Sequence, residues 1–320
     1  MSVRMVNVLR CELDEPLDRA GFRHAGATIG ARIGAERIGA SVYEAQAGHP
    51  IFPYHYTYAA EEWMYVLSGA PVLRDAGGQR ALTSGDLACF PAGHLGAHVS
   101  GPGRLILFSA DAPGPYVAVY PDSDKVAIWT GVADFGTMTL PRSAAVDYWS
   151  GEGSETSSER VTVVREPAAP GRPVVNALDV AADLRRADAP AGSRCREAAL
   201  SSGLGAERLD ATVVELDPGE GCAAYHYEYG RQKWLLVAPG TPTLRHPGGE
   251  GVLTAGDLTC FPEGPSGAQR VLNRSDEVAR ALFISTTGFP ANVCYPDSGS
   301  WLLRNGPDAT ELTLPGPRPR

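Results

Sequence analysis

One imidazole and one carboxylate in the first third of the chain stand at a spacing that could bring them together on a β-sheet. Alternate residues of an extended strand share a face, so His55 and Thr57 would point to one side and the neighbouring tyrosines to the other. Glu62 has the same parity as Met64 and Val66 on the segment that follows. If this face is the interior of a barrel, the Glu62 carboxylate converges on His55. Imidazole and carboxylate are common donors to a divalent metal.

The segments that would carry these residues are short apolar runs separated by glycine and proline turns. Short strands at nearly even spacing favour a small antiparallel barrel or sandwich over alternating βαβ units. Weak helical periodicity in Asn7 to Ala20 and in Asn176 to Arg186 predicts short flanking helices. The strand candidates are Ala40 to Ala45, Trp63 to Leu67, Pro71 to Arg74, Asp86 to Phe90 and Arg104 to Phe108.

An internal repeat sets the domain organisation. Residues 34–97 align with 205–268 without a gap, and about half of the aligned positions are identical. Between the two copies lies a segment rich in Gly, Ser, Glu and Pro, a composition typical of an exposed linker. The sequence therefore predicts an all-β chain with a first barrel in 1–149, a linker in 150–173 and a second barrel in 174–320.

These glycines, histidines and acidic residues carry a resemblance to a known family. Gly48, His55, Glu62 and Gly69 resemble the first signature of the cupin superfamily, and Gly85, Pro91, Gly93 and His98 resemble the second, with the histidine two places late. The match covers nearly all of both repeats, so the whole chain resembles a bicupin. The resemblance implies two tandem double-stranded β-helix (jelly-roll) barrels. It implies little about the reaction, because cupins serve many chemistries.

The resemblance also implies a ligand set in the first barrel, namely His55, Glu62 and His98. Two imidazoles and a carboxylate suit one divalent transition metal per chain, with Fe(II) favoured and Mn(II), Ni(II), Cu(II) or Zn(II) as alternatives. Thr57 stands where the family has a further histidine, which weakens metal affinity and opens a coordination position. Glu61 is an alternative to Glu62, although only Glu62 keeps the family's spacing to Gly69.

Three further residues are candidates for contact with a substrate, and a metal-free arrangement remains an alternative. The substrate candidates are Thr57, Met64 and His94, the last in a loop near the expected barrel mouth. In the metal-free alternative, His55 and Glu62 only hydrogen-bond to each other.

The second repeat places different chemistry at the four ligand positions: His226, Glu228, Lys233 and Gln269. A protonated lysine has no lone pair and repels a cation, so metal is expected in the first barrel only. Lys233 should pair with Glu228, because an unpartnered buried ammonium is costly. Two interpretations stay open: a degenerate barrel kept for packing, or a second pocket that binds an anion or uses Lys233 as a base.

Composition excludes several classes of function. The 320 residues carry 28 basic and 37 acidic side chains, a net charge of -9 without a basic stripe, so nucleic acid is not an expected partner. No apolar run approaches the length of a membrane span, and the first residues lack a signal-peptide core, so a cytoplasmic protein is expected. The six scattered cysteines form no Cys-x-x-Cys pair, and reduced thiols are expected.

These features together predict a metal-dependent cupin enzyme acting on a small organic metabolite. A non-haem iron oxygenase or dioxygenase that binds O2 beside its substrate is the leading hypothesis. A metal-dependent isomerase, cyclase or lyase is the first alternative, and a non-catalytic small-molecule-binding bicupin is the second. A homodimer is left open.

Overall fold

The computed structural model describes residues 4–111, 115–131, 136–146, 150, 162–163, 165–185, 192–306 and 312–314. In the first half the strands are β1 (Met5–Asn7), β2 (Glu15–Arg19), β3 (Phe22–Thr28), β4 (Gly39–Ala45), β5 (Tyr56–Thr57), β6 (Ala60–Ser68), β7 (Val72–Asp75), β8 (Gly78–Ala81), β9 (Asp86–Phe90), β10 (His98–Gly101), β11 (Gly103–Asp111), β12 (Tyr116–Tyr120), β13 (Lys125–Trp129) and β14 (Thr137–Pro141).

The second half repeats the pattern. Its strands are β15 (Val174–Asn176), β16 (Leu184–Arg185), β17 (Arg196–Ala199), β18 (Leu209–Leu216), β19 (Gly221–Tyr229), β20 (Lys233–Val237), β21 (Thr243–His246), β22 (Gly249–Val252), β23 (Asp257–Phe261), β24 (Gln269–Leu272), β25 (Ala279–Thr286), β26 (Asn292–Tyr295), β27 (Ser300–Leu303) and β28 (Leu312–Leu314). Helix is confined, among the described residues, to α1 (Ser201–Leu204) and to 3-10 turns at Gly30–Ile33, His94–Gly96, Pro121–Ser123, Arg142–Ala144 and Pro265–Gly267. Across the described ranges, every helical segment is too short to cross a membrane.

Each repeat folds into an antiparallel barrel, which confirms the predicted two-barrel jelly-roll architecture. The first barrel has a large sheet in the order β15-β9-β6-β11-β4-β3-β2, opposed by smaller sheets β10-β7-β8 and β14-β13-β12-β5. The second barrel pairs a sheet β1-β23-β20-β25-β18-β17-β16 with a sheet β22-β21-β24-β19-β26-β27-β28. Period-2 alternation on these strands sends one set of side chains into each barrel and the other set outward.

The two barrels exchange their edge strands. Strand β1 pairs with β23 of the second barrel, with Val6 opposite Leu258, and β15 pairs with β9 of the first, with Val175 opposite Leu87. The Arg104 guanidinium binds the backbone carbonyls that follow β1, and Arg280 binds those that follow β15. The expected division into 1–149 and 174–320 is therefore crossed twice, because each barrel completes its large sheet with a strand from the other half.

The barrels pack together through one shared apolar core. Trp63 and Trp234 are fully buried in it, and the Trp234 ring meets Phe108 edge-to-face at 5.8 Å between ring centroids. Trp63 has the parity of Glu61 on β6, opposite to that of Glu62. Strand β6 therefore sends one face into the contact between barrels and the other into the first barrel.

The predicted flanking helices are wrong. Glu15–Arg19 is a strand that pairs with Phe22–Thr28 through a tight turn in which Gly21 has a φ of 86°. In the other segment, Leu184–Arg185 pairs with β17. Pairing with a neighbouring strand satisfies the backbone along its whole length, and this outweighs weak helical periodicity.

The linker is only partly within the described residues, since 151–161 and 164 lie outside them. Its described end is anchored to the first barrel: Glu166 accepts a hydrogen bond from the Tyr56 hydroxyl at 2.6 Å, and the Arg172 guanidinium donates to the Cys89 carbonyl at 3.0 Å. This end of the segment departs from the expectation of an exposed linker because a side chain of one sheet and a backbone carbonyl of another bind it.

Candidate metal centre

The two histidines of the first barrel lie side by side at the point where β10 begins. His55 and His98 exchange backbone hydrogen bonds, 3.2 Å from the His55 amide and 2.9 Å from the His98 amide. Their ring centroids are 5.2 Å apart. The pairing places both imidazoles on one face, as the sequence predicts for two residues that look into the barrel.

Backbone carbonyls fix the tautomer of both rings. His55 Nδ1 lies 2.9 Å from the Pro53 carbonyl oxygen, and His98 Nδ1 lies 2.8 Å from that of Gly96. A carbonyl only accepts, so each Nδ1 donates its proton and each neutral ring keeps its lone pair on Nε2. This is the arrangement in which metal-binding histidines are held.

The Glu62 carboxylate is the third member of the site. Its Oε2 lies 3.9 Å from His55 Nε2, and both residues line the same cavity. Glu62 on β6 pairs with Phe90 on the neighbouring strand β9. The Phe90 ring stacks on His98 with 3.7 Å between the ring centroids. The strand register therefore places Glu62 beside the ring that stacks on His98.

Glu62 and His55 lie close to each other, and His98 lies farther from at least one of them. Among the described residues, the donor atoms of His55, Glu62 and His98 do not all lie within 4.8 Å of one another, so His98 stands off from at least one of its companions. The donor types, the neutral rings and the shared face fit a divalent ion. To complete the set, the His98 ring must approach the other two donors.

Burial keeps the His98 imidazole neutral. His98 is 4% exposed. Loss of solvent, and then the neighbouring His55, lower the pKa of His98 to about 3, against the opposing effect of the Gly96 carbonyl. A neutral imidazole is the form that binds metal.

The cavity that His55 and Glu62 line has a volume of about 1020 Å³ and an aromatic wall. Tyr120 stacks on His55 at 5.8 Å between centroids, and Phe52 meets the same ring edge-to-face at 6.1 Å. Burial, and then the Glu62 charge, raise the pKa of Tyr120. Burial chiefly, together with Glu15 and Glu62, raises that of Tyr43 against a hydrogen bond with Ser41. Both phenols therefore stay protonated at neutral pH.

Sequence reasoning missed this wall. Tyr120 ends β12 and lines the same cavity as His55 and Glu62. The available signal was the repeat itself, because Tyr295, its counterpart, likewise lies beside His226 with ring centroids 6.1 Å apart. Second-repeat residues Arg208, Thr286 and Thr287 also line the first cavity, a contribution that only the packing of the two barrels creates.

The three substrate candidates fall outside the residues that line this cavity. Thr57 is 2% exposed, and its hydroxyl donates to the Ala60 carbonyl at 3.1 Å. Met64 has the inward parity of Glu62 but packs in the apolar core of the barrel, where Val66 and Phe90 surround it. His94 lies in the 3-10 turn His94–Gly96, before β10.

The two adjacent glutamates lie in different surroundings. The Glu61 carboxylate is 1% exposed and accepts hydrogen bonds from the Trp63 indole at 2.8 Å and from the backbone amides of Glu207, Arg208 and Leu209. It therefore joins the barrels. In the second repeat, Gln232 does the same for the amides of Arg37 and Ile38.

The four second-barrel residues line one cavity of about 500 Å³. The Lys233 ammonium hydrogen-bonds to Glu228, as predicted, and His226 Nε2 lies 3.5 Å from the same carboxylate. Gln269 Nε2 lies 3.2 Å from His226 Nε2. Although burial opposes it, the Lys233 charge holds the pKa of Glu228 well below its ordinary value. An ammonium therefore occupies the place of a metal ligand.

Comparison with known proteins identifies solved structures with a similar fold. No protein-family model matches the sequence, and no curated protein matches it. Among solved structures, a variant of oxalate decarboxylase from Bacillus subtilis is similar over 91% of this chain and 79% of that chain, with 16% identity and a TM-score of 0.52. A sugar phosphate isomerase of the cupin superfamily from Silicibacter pomeroyi is similar over 42% of this chain and 86% of that chain, with 19% identity and a TM-score of 0.38.

The chain therefore has the bicupin fold. The similarity to oxalate decarboxylase spans both barrels.

Proposed function

We propose that the first barrel is the active site of a metal-dependent enzyme that acts on a small organic molecule. The observation that carries the proposal is the position of His55 and Glu62 on the wall of one large cavity, with the His55 lone pair fixed on Nε2. Cavities of roughly 300–1,000 Å³ are typical of small-molecule sites, and this one lies at the upper end. The second barrel has a cavity half as large and an ion pair at the corresponding position.

His55, Glu62 and His98 would hold one divalent ion. The ion, when bound, supplies a Lewis acid and open coordination positions for a substrate and O2. Glu62 contributes the negative charge of the set, and the neutral imidazoles contribute none. The hydroxyl of Thr57 is engaged by the Ala60 carbonyl, so this chain offers three donors where the family's usual pattern has four.

The aromatic wall supports a proposal for the substrate class. The rings of Tyr43, Phe52, Tyr116, Tyr120 and Trp129 line the cavity and offer flat, apolar contact. The protonated phenols of Tyr43 and Tyr120 stand near enough to Glu62 for its charge to raise their pKa. We therefore assign to the site a planar organic molecule whose oxygen atoms accept hydrogen bonds from these hydroxyls.

An oxygenation is the reaction we propose, with Fe(II) as the ion. Three protein donors would leave up to about three positions of a six-coordinate ion free, and two imidazoles with one carboxylate are the donor set of non-haem iron oxygenases. Mn(II) suits the same oxygen and nitrogen donors, so metal identity is to be measured together with activity.

A Lewis-acid isomerisation or lyase reaction is the second candidate. The observation that favours it is the pair of half-buried, protonated phenols near Glu62, since such reactions move a proton and need a donor and an acceptor close to the substrate. Tyr120 would donate a proton to the substrate, and the Glu62 carboxylate would accept one from it.

Oxygen dependence distinguishes the candidates. Chelator-treated protein is reloaded with Fe(II) or Mn(II) and incubated with a panel of catechols, enediols and 2-oxo acids, with O2 uptake and product formation both recorded. We expect O2 uptake that matches turnover and is lost in Glu62→Gln. Equal conversion without O2 would replace oxygenation by isomerisation or lysis. Ligand binding without turnover under both conditions would make the chain a binding protein.

A further inference from the structure

A second cluster of metal-binding side chains lies in the wall of the second-barrel cavity, apart from His226, Glu228, Lys233 and Gln269. Cys195, Glu197 and Cys222 offer donor atoms that all lie within 4.8 Å of one another. The Cys195 thiol donates to Glu197 Oε1 at 3.2 Å. All three residues line the cavity of about 500 Å³.

Two strands bring these residues together from distant parts of the repeat. Cys195 directly precedes β17, and Glu197 lies two residues later, so both side chains take the same side of the chain. Cys222 comes from β19, where the pairing with β24 is interrupted between Cys222 and His226. No short Cys-x-x-Cys motif marks the cluster, which explains why the sequence gives no sign of it.

The spacing of the cluster matches a tetrahedral ion. Zn–S bonds of about 2.3 Å and Zn–O bonds of about 2.0 Å place neighbouring donors about 3.5–3.8 Å apart. The Sγ–Oε1 distance of 3.2 Å and the limit of 4.8 Å for the whole cluster bracket these values. Side-chain movements of less than about 1 Å would close the set.

We propose that Cys195, Glu197 and Cys222 bind a thiophilic divalent cation of the Zn(II) type, with the fourth position open to the second-barrel cavity. Thiolate donors select Zn(II) over Mn(II), and three protein donors with one open position leave room for water or a ligand. Each thiol that binds loses its proton to solvent, so two protons leave when the ion enters.

The charges around the cluster are compatible with a cation. Lys233 also lines this cavity, but Glu228 pairs with it and offsets its charge. A hydrogen bond with Cys195, then burial and the Glu197 charge, raise the pKa of the Cys222 thiol, so a bound ion must displace its proton. Glu197 supplies one negative charge and the two thiolates supply two, which exceeds the charge of the ion.

This site is independent of the one proposed in the first barrel. It takes a soft cation through sulfur, whereas His55, Glu62 and His98 take a harder one through nitrogen and oxygen. The expectation of one metal per chain then applies to the first barrel alone. A background with His55→Ala removes the first site from the measurement.

Co(II) tests the proposal, because thiolate-to-Co(II) charge transfer reports sulfur ligands directly. Reduced, chelator-treated His55→Ala protein is titrated with Co(II), and the same titration is repeated with Cys195→Ser or Cys222→Ser added. Cys11→Ser is the matched control, a half-buried free thiol whose partner is Arg104. Far-ultraviolet circular dichroism verifies the fold of each variant.

We expect one equivalent of tetrahedral, thiolate-bound Co(II) in the background and the control, displaced by Zn(II), and at least a 100-fold weaker binding in each serine variant. Absence of the charge-transfer band in the background protein would overturn the proposal, as would its survival in the Cys195→Ser, Cys222→Ser double variant. Should serine variants misfold, Zn(II) must still slow alkylation of Cys222 in the unaltered chain by at least tenfold. Unchanged alkylation, or a disulfide between the two cysteines in protein purified without oxidant, would also refute it.

Discussion

Replacing His98 by glutamine should remove a large part of the acid sensitivity of the first barrel. The fold has already accommodated this residue at the same place, since Gln269 occupies the corresponding position of the second barrel at 5% exposure and contacts His226. Glutamine has no titratable group, so His98→Gln changes the pH dependence of folding with little change of shape. The variant therefore isolates the cost of protonating one buried imidazole.

The magnitude follows from the pKa difference. The pKa of His98 is about 3 in the folded chain, and a histidine in an unfolded chain titrates near 6.5. Below pH 6.5 the unfolded chain binds the proton and the folded chain does not, so stability falls as the pH falls and continues to fall towards pH 3. At about 1.36 kcal/mol per pH unit, the loss reaches about 2 kcal/mol at pH 5.

Urea unfolding in the presence of chelator measures this loss, with fluorescence of the buried Trp63 and Trp234 as the signal. Between pH 7.5 and pH 5, the unaltered chain should lose about 2 kcal/mol more of its unfolding free energy than His98→Gln. Acidic groups outside the site titrate alike in both proteins and cancel in the difference. Parallel losses in the two proteins would show that His98 is not held neutral by burial.

Substitutions at three further positions test the polar contacts within and between the barrels. Lys233→Met leaves the Glu228 carboxylate buried without its cation, so the free energy of unfolding should fall by about 3–5 kcal/mol. The metal content of the first barrel should not change. Lys233→Met combined with Glu228→Gln should restore most of the lost stability, as measured by urea unfolding. Glu61→Ala removes the acceptor of three backbone amides between the barrels and should cost about 3 kcal/mol or more, whereas Glu61→Gln, which copies Gln232, should cost less. Thr57→His places a larger ring in a buried position and should lower stability by about 1–3 kcal/mol, measured against Thr57→Val, which removes only the bond to Ala60.

The barrels and the inward parity of Glu62 were predictable because they depend on local rules. Period-2 alternation places Glu62, Met64 and Val66 on one face of β6 and Glu61 and Trp63 on the other, and the structure keeps this division. The internal repeat identified two copies of one barrel. The pairing of Lys233 with Glu228 followed from the cost of burying an unpartnered charge.

Other features depend on contacts between distant segments, which no local pattern encodes. Strands β1 and β15 find their partner strands, β23 and β9, only when the two barrels pack together. Tyr120 reaches the cavity because β12 lies beside β5, and Cys195 meets Cys222 only across the second barrel. The distance of His98 from His55 or Glu62 depends on side-chain positions, which the spacing of residues in the sequence does not determine.

Mn(II) binding to the chelator-treated chain tests the central claim most directly. Mn(II) suits the nitrogen and oxygen donors of the first barrel and not the thiols of the second. Free Mn(II) is followed by electron paramagnetic resonance as each protein is titrated. The account predicts one equivalent in the unaltered chain and in Cys222→Ser, and at least about 100-fold weaker binding in His55→Ala and Glu62→Gln. Full retention of Mn(II) by His55→Ala would contradict it.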